Sequence, residues 1–272
     1  MKVVTLTTDF GNKDVSVAVT KAALIQSIPD VTIIDISHKI SPFNAVEAAY
    51  ILKNAYSSFP KGSIHLVGVD SEYSPENYHL VMQLEGHYFI GSNNGIFSLI
   101  AHRIKPEKMI EITIGNNTAT LFPALDVFVK VAAHIAKNGV LEVIGKPATS
   151  IKELYHSQPL VNGNNQIQGS VIYVDNYGNV ISNITKEMFK EVGKSRPFTI
   201  SARGLTLTQI HDAYSGGNTN TARPLQLGDS VAIFNSTGHL ELAIYKGNPD
   251  TSGSASSLFG LYYGDRISVQ FE

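Results

Sequence analysis

Three aspartates and one compact polar cluster carry the chemistry legible in this sequence. The β-branched run Val3–Thr8 ends in Asp9, Phe10 and Gly11, with Asp14 and Ser16 close behind. A parallel strand delivers a carboxylate in this way to its C-terminal end, where open α/β sheets bind ligands. Asp70 repeats the pattern after the apolar run Ile64–Val69. Asp9 and Asp14 would bracket the mouth at the end of the first strand, and two carboxylates there suit hydroxyl groups or an ammonium better than a phosphate. Asp9 and Asp70 together, from two parallel strand ends at one sheet edge, read as a site. The alternative for Asp9 and Asp14 is capping of the helix that follows. The second cluster is Asp175-Asn176-Tyr177-Gly178-Asn179, extended to Asn183. It is good turn chemistry, and an amide beside an aromatic face can also read a heterocyclic base. Asn235-Ser236-Thr237-Gly238-His239 lies between two strands and reads as a further turn.

Positioning these groups requires two kinds of element. Up to about residue 150, strand and helix signals alternate: strands at 2–8, 31–36, 64–69 and 109–114, helices at 15–28, 45–58, 94–103 and 124–137, and a hairpin at 79–90. In the first helix Val19, Ala22, Ala23 and Leu24 form the expected buried side. This order predicts an α/β domain with a largely parallel sheet over 1–150. From 167 to 272 the strands are short and alternating and helical signal nearly vanishes, which predicts an all-β barrel. Residues 151–166 read as a linker, within a loosely patterned stretch from 147. Ser215–Thr221 and Thr251–Ser257 read as surface loops.

Composition narrows the class. The 272-residue chain has 16% charged and 43% hydrophobic residues, a formal net charge of −2 and no cysteine. Disulfides, thiol catalysis and thiolate metal sites are thereby excluded, and the charge gives no reason to expect nucleic acid or an anionic membrane. The nine histidines have no metal-ligand spacing, and His38, His65, His79, His87 and His134 read as structural. No apolar run approaches the roughly 20 residues that cross a bilayer, and Met1 leads directly into a strand, so a cytoplasmic location is expected.

Several linked motifs together resemble the S-adenosylmethionine (SAM) hydroxide adenosyltransferases, or SAM hydrolases, the relatives of fluorinase and chlorinase. They are Thr7-Thr8-Asp9-Phe10-Gly11 with Asp14, Ile34-Asp35-Ile36-Ser37-His38 with Pro42, Val69-Asp70, Asn94-Gly95, the Asp175–Asn183 cluster, and Asn235-Ser236 with Gly238 and Leu240–Ala243. The resemblance covers nearly the whole chain. It implies a seven-stranded α/β domain and a C-terminal barrel in a homotrimer, with SAM as substrate or ligand between subunits and no other cofactor.

By matching position, Asp9 would hold the ribose hydroxyls and Phe43 would pack on the sugar. Asp14, Ser16 and Asp175 would surround the methionine ammonium, and Ser236 would meet its carboxylate. Tyr177 and Asn179 would take adenine. The expected chemistry is attack of water or hydroxide on ribose C5′, which the protein assists by aligning and desolvating the nucleophile. The family's water site resembles an Asp–Arg–His set. Here Asp70 matches the Asp, Asn77 stands where the Arg belongs, and Pro123 occupies the His position. His79 is the nearest substitute, although on an alternating strand it reads as a surface residue. Three readings follow: a hydrolase with altered water activation, a non-catalytic SAM or adenosine binder, and a 5′-halogenase.

Overall fold

The computed structural model describes residues 2–114, 120–154, 158–216 and 224–272. It divides into two compact units, Met1–Leu154 and Tyr155–Glu272. Most of the Ser215–Thr221 loop and residues 155–157 of the expected linker lie outside the described residues.

The first unit runs β1 (Lys2–Thr8), α1 (Ser16–Ser27), β2 (Val31–Ser37), α2 (Ala45–Ala55), β3 (Ile64–Gly68), β4 (His79–Leu84), β5 (His87–Ser92), α3 (Ile96–Ala101), β6 (Lys108–Ile112), α4 (Val129–Ala136) and β7 (Gly145–Pro147). Its seven-stranded sheet has the order β2-β1-β3-β5-β4-β6-β7. The β2, β1, β3 and β5 strands pair in parallel, while β4 and β7 run opposite. One core cluster joins Leu24 and Ile28 to Phe128, Val131 and Ala132; the other joins Ala48 and Leu52 to Ile96, Phe97 and Ile100. Helices α1 and α4 therefore serve one core and α2 and α3 the other, which leaves strand ends rather than sheet faces open to ligands.

The sheet directly positions the two acids. Thr8 pairs with Gly68 in the β1–β3 ladder, so Asp9 and Asp70 leave the sheet at one edge. Gly68 gives the Phe10 ring room at this point: a Cβ there would lie 2.8 Å from it, and the ring would have to shift.

Differences from expectation have local causes. On α1, Leu24 and Thr20 are buried, whereas Val19 and Ala22 are exposed. The helix at 124–137 begins as a π-turn over Ala124–Phe128. Pro147 belongs to β7, and the first unit runs on to Leu154, four residues into the stretch read as a linker.

The second unit comprises β8 (Leu160–Asn162), β9 (Gln166–Val174), β10 (Val180–Thr185), α5 (Lys186–Gly193), β11 (Phe198–Ala202), β12 (Leu205–Leu207), β13 (Ser230–Phe234), β14 (His239–Ile244), α6 (Ala255–Phe259) and β15 (Arg266–Phe271). Its antiparallel strands follow the order β12-β11-β15-β9-β10-β14-β13, with β8 on β9, in a sheet nearly closed into a barrel. Two helices occur where almost none was expected. Thr185 caps α5 by accepting from Met188 N at 3.2 Å. Ser254 and Ser257 form a reciprocal capping box on α6, so the Ser-rich stretch at 251–257 is a helix start and its Ser254–Ser256 portion is buried.

Candidate functional site

In the first unit the polar centre is Asp9. Its Oδ2 accepts from Phe43 N at 3.0 Å and from Asp70 N at 3.4 Å. Both donors have left-handed backbone, φ 63° for Phe43 and 44° for Asp70. A non-glycine residue in that region costs on the order of 1 kcal/mol; here two such turns close upon one carboxylate oxygen. Asn94, buried at the start of α3, braces the Asp70 turn from below. Its Nδ2 donates to Val69 O (3.0 Å) and Asp70 O (3.3 Å), while Oδ1 accepts from Ile96 N (3.2 Å). The backbone of Asp70 is thus held from both sides, yet no described residue donates to its carboxylate. Burial, then the nearby Asp9, push the Asp70 pKa above the ordinary aspartate value; Lys152 pulls it down and Glu72 adds to the rise.

Supporting contacts fix the neighbouring loops. The buried His38 is bonded to Thr8 Oγ1 at 2.8 Å, and its Nε2 lies 3.0 Å from Asp35 Oδ1. Its carbonyl accepts from Gly11 N at 2.7 Å, which ties the β1–α1 loop down. Phe10 meets Phe122 edge-on, with ring centroids 5.4 Å apart.

Asp9 does not cap α1. Asp14 is exposed and accepts from Ser16 N at 3.3 Å, but the N-cap position of α1 is Val15, which has no side-chain cap bond. The Phe43 side chain is 75% exposed. Asn77 does not donate to Asp70; its Oδ1 accepts from Lys152 Nζ at 2.8 Å. Pro123 opens the π-turn and has no proton acceptor on its ring. His79 is fully buried, not on the surface. Its ring makes edge contacts with Tyr73 and Phe128, its Nε2 meets Ser71 O at 3.0 Å, and its Nδ1 has no partner among the described residues. Burial lowers its pKa, which favours the neutral ring.

In the second unit Asp175 staples the β9–β10 turn. Its Oδ1 accepts from Tyr177 N (2.9 Å) and Asn179 N (2.8 Å), and Oδ2 from Asn179 Nδ2 (3.1 Å). Tyr177 is 68% exposed on the turn. Gly178 (φ 73°) must be glycine, because a Cβ would collide with Ser254. Ser256 N donates to Gly178 O at 2.9 Å, so α6 is part of the turn's support.

Glu241, within the Leu240–Ala243 run, is the buried acid of this half. It accepts from Tyr214 Oη at 2.6 Å and Asn235 Nδ2 at 3.0 Å. Burial raises its pKa; Tyr214, Asn235 and Asn179 work against that rise, and Asp175 adds to it. Ser236 is exposed beside Asn235, and Glu241 links its turn to the Asp175–Asn179 turn. An acid between apolar neighbours on a barrel strand, as in Leu240-Glu241-Leu242, is the sequence signal that could have singled it out.

The SAM hydroxide adenosyltransferase N-terminal domain profile matches residues 4–145 and the C-terminal domain profile 169–268. The chain belongs to this family. It is 30% identical to the (R)-S-adenosyl-L-methionine hydrolase of Methanocaldococcus jannaschii, over 69% of this chain and 68% of the relative. With the protein of the same name from Thermus thermophilus it shares 28% identity over 97% and 98% of the two chains. A crystal structure of an uncharacterized conserved protein from Thermotoga maritima superposes with a TM-score of 0.83 at 27% identity, covering 98% of this chain and 99% of that one. Among the described residues no helix is long and apolar enough to cross a membrane.

Proposed function

We propose that this family member hydrolyses SAM to adenosine and L-methionine, with Asp70 as the base or orienter of the water. The observation that carries this reading is the Asp9–Asp70 pair: one carboxylate locks the other's backbone, and among the described residues none donates to the Asp70 side chain. In the step, a water oxygen forms a bond to C5′ and the C5′–sulfur pair leaves with sulfur as the neutral thioether. The water's proton passes to Asp70 and then to solvent. The sulfonium is already a good leaving group, so alignment and partial desolvation of the water supply most of the assistance.

Asp9 takes the ribose hydroxyls and Phe43 the sugar face. Asp14, Ser16 and Asp175 surround the ammonium, Ser236 meets the carboxylate, and Tyr177 with Asn179 receives adenine. The two half-sites would be completed by self-association as a homotrimer in the cytoplasm. Val15 just before α1, Val19 and Ile25 on α1 and Ile34 on the edge strand β2 are 70%, 38%, 63% and 38% exposed, an apolar surface that suits a second copy of the chain. Light scattering that finds a monomer at working concentration removes this part.

The test is incubation with SAM in both sulfonium configurations, with adenosine followed by chromatography and Asp70→Asn alongside. No adenosine above the buffer control overturns hydrolysis. The second reading, a SAM or adenosine binder, is favoured by Asn77 and Pro123, which stand where the resemblance expects an Arg and a His; tight binding in calorimetry without turnover selects it. A halogenase is disfavoured because an ionised Asp70 repels halide in a desolvated pocket. Formation of 5′-chloroadenosine or 5′-fluoroadenosine at high halide would reverse that.

A further inference from the structure

The segment after β7 crosses the same end of the first unit and is fastened along its length. Tyr78 Oη donates to Ser150 O at 2.9 Å, and Ile151 packs on the α2–α3 core. Lys152 N donates to Asn93 Oδ1 at 2.9 Å, and Leu154 covers Gly95, where any Cβ would collide with it. Asn93 and Gly95 flank Asn94, the residue that grips the carbonyls of Val69 and Asp70. Between these anchors Lys152 Nζ reaches Asn77 Oδ1 at 2.8 Å. The main chain of Asn77 is itself held: its backbone N–H donates to Ser74 Oγ at 3.1 Å, and its backbone carbonyl accepts from Ser92 Oγ at 3.0 Å. A lysine on a free linker would disperse its head group through solvent. Here the backbone is pinned on both sides, and the side-chain oxygen of Asn77 receives the ammonium.

We propose that Lys152 is a positioning residue of the Asp70 site: docked on Asn77, its ammonium supplies the positive charge that keeps the Asp70 carboxylate ionised and aimed at the attacking water. This rests on the hydrolase reading. The charged groups that bear on Asp70 among the described residues are Asp9 and Glu72, which oppose its ionisation, and Lys152, which favours it. Asn77 cannot supply charge, but its carbonyl oxygen can hold a cation. An Arg at position 77 would deliver the charge from its own side chain. An Asn there, with Lys152 strapped across from another segment, delivers it from a different part of the chain. An ammonium has three donors, and one bond to Asn77 leaves two for a carboxylate or a water.

The test compares the whole chain with Lys152→Met, Lys152→Arg and the double variant Lys152→Met/Asn77→Arg. Lys152 is exposed, so these variants are expected to fold. Lys152→Met should lower kcat for adenosine formation about tenfold, leave KM for SAM unchanged and move the acid limb of the pH profile to higher pH. Lys152→Arg should preserve rate and limb, and the double variant should regain both. Wild-type kcat and an unmoved limb in Lys152→Met overturn the assignment.

A second readout does not need turnover: the Asp70 carboxylate is titrated by 13C NMR in ligand-free protein. Its midpoint should rise in Lys152→Met, and an unmoved midpoint overturns the Lys152 assignment. If the midpoint moves while the wild-type protein forms no adenosine, the assignment of Lys152 to Asp70 stands and the hydrolase reading falls.

Discussion

The two units each present a pair of carboxylates, and they treat them in opposite ways. In the second unit, Asp175 accepts three hydrogen bonds and Glu241 is buried on a strand with Tyr214 and Asn235 as donors. Those acids are spent on holding a turn and two amides in place, which suits recognition. In the first unit, Asp9 holds the backbone while the Asp70 carboxylate receives no donor from a described residue and feels a neighbouring acid. Satisfied acids rigidify a surface; an under-satisfied, partly desolvated one retains basicity for chemistry.

The largest expected effect breaks or confirms that division directly. Asp70→Asn should reduce adenosine formation by about a hundredfold to ten-thousandfold, the range for loss of a general base, with KM for SAM little changed in steady-state assays. A rate near wild type would mean that the first unit binds without assisting the step.

The units should also respond oppositely to pH. Burial, reinforced by His87, lowers His65 in the first unit to about 3, and it stays neutral on Thr5 Oγ1 at 2.7 Å. Its folded-state value lies below its unfolded one, so its stabilisation is present above about pH 6.5 and is lost as pH falls toward 3, by at most about 1.4 kcal/mol per pH unit. Glu241 has the reverse sign. Its folded value is raised, so its stabilisation is present below the ordinary glutamate range and is lost as pH rises through the folded value. Asp70 shares that sign in the first unit but is only half-buried. Hydrogen exchange at pH 4.5 and 7 should show the first unit losing protection in acid relative to the second; parallel loss in both would remove the contrast.

Much of this was legible because strand ends are. The apolar runs leading to Asp9 and Asp70 required two parallel strands ending at one edge, and the β1–β3 register delivers that. Sequence periodicity does not report what folds back from a distance. Ser150–Leu154 carries no strong pattern, so its contacts with Tyr78, Asn93 and Asn77 were invisible. Alternation puts His79 on the surface because it assumes one wet face, whereas β4 is a central strand with His79 fully buried. Composition makes the 251–257 stretch look like a loop, and the same serines that favour loops also make capping boxes.

A smaller effect tests the second unit. Glu241→Ala removes the acceptor of Tyr214 Oη and Asn235 Nδ2, and should destabilise that unit by about 1–3 kcal/mol in denaturant titration followed by hydrogen exchange. SAM affinity should fall with little change in kcat. A fall in kcat with affinity intact would move chemistry into the half assigned to recognition.

The finest test asks whether Asp9 acts on Asp70 through charge as well as geometry. Asn at position 9 keeps an oxygen that can accept from Phe43 N and Asp70 N, so the two left-handed turns should survive. The negative charge is lost, and with it a contribution that opposes ionisation of Asp70. Asp70 should then ionise more readily, and the acid limb of kcat in Asp9→Asn should move to lower pH, opposite to the displacement expected for Lys152→Met. KM for SAM should rise, because an amide accepts from ribose hydroxyls more weakly than a carboxylate does. If the limb stays in place while KM rises, Asp9 serves the ribose alone, and Asp70 owes its raised pKa to burial.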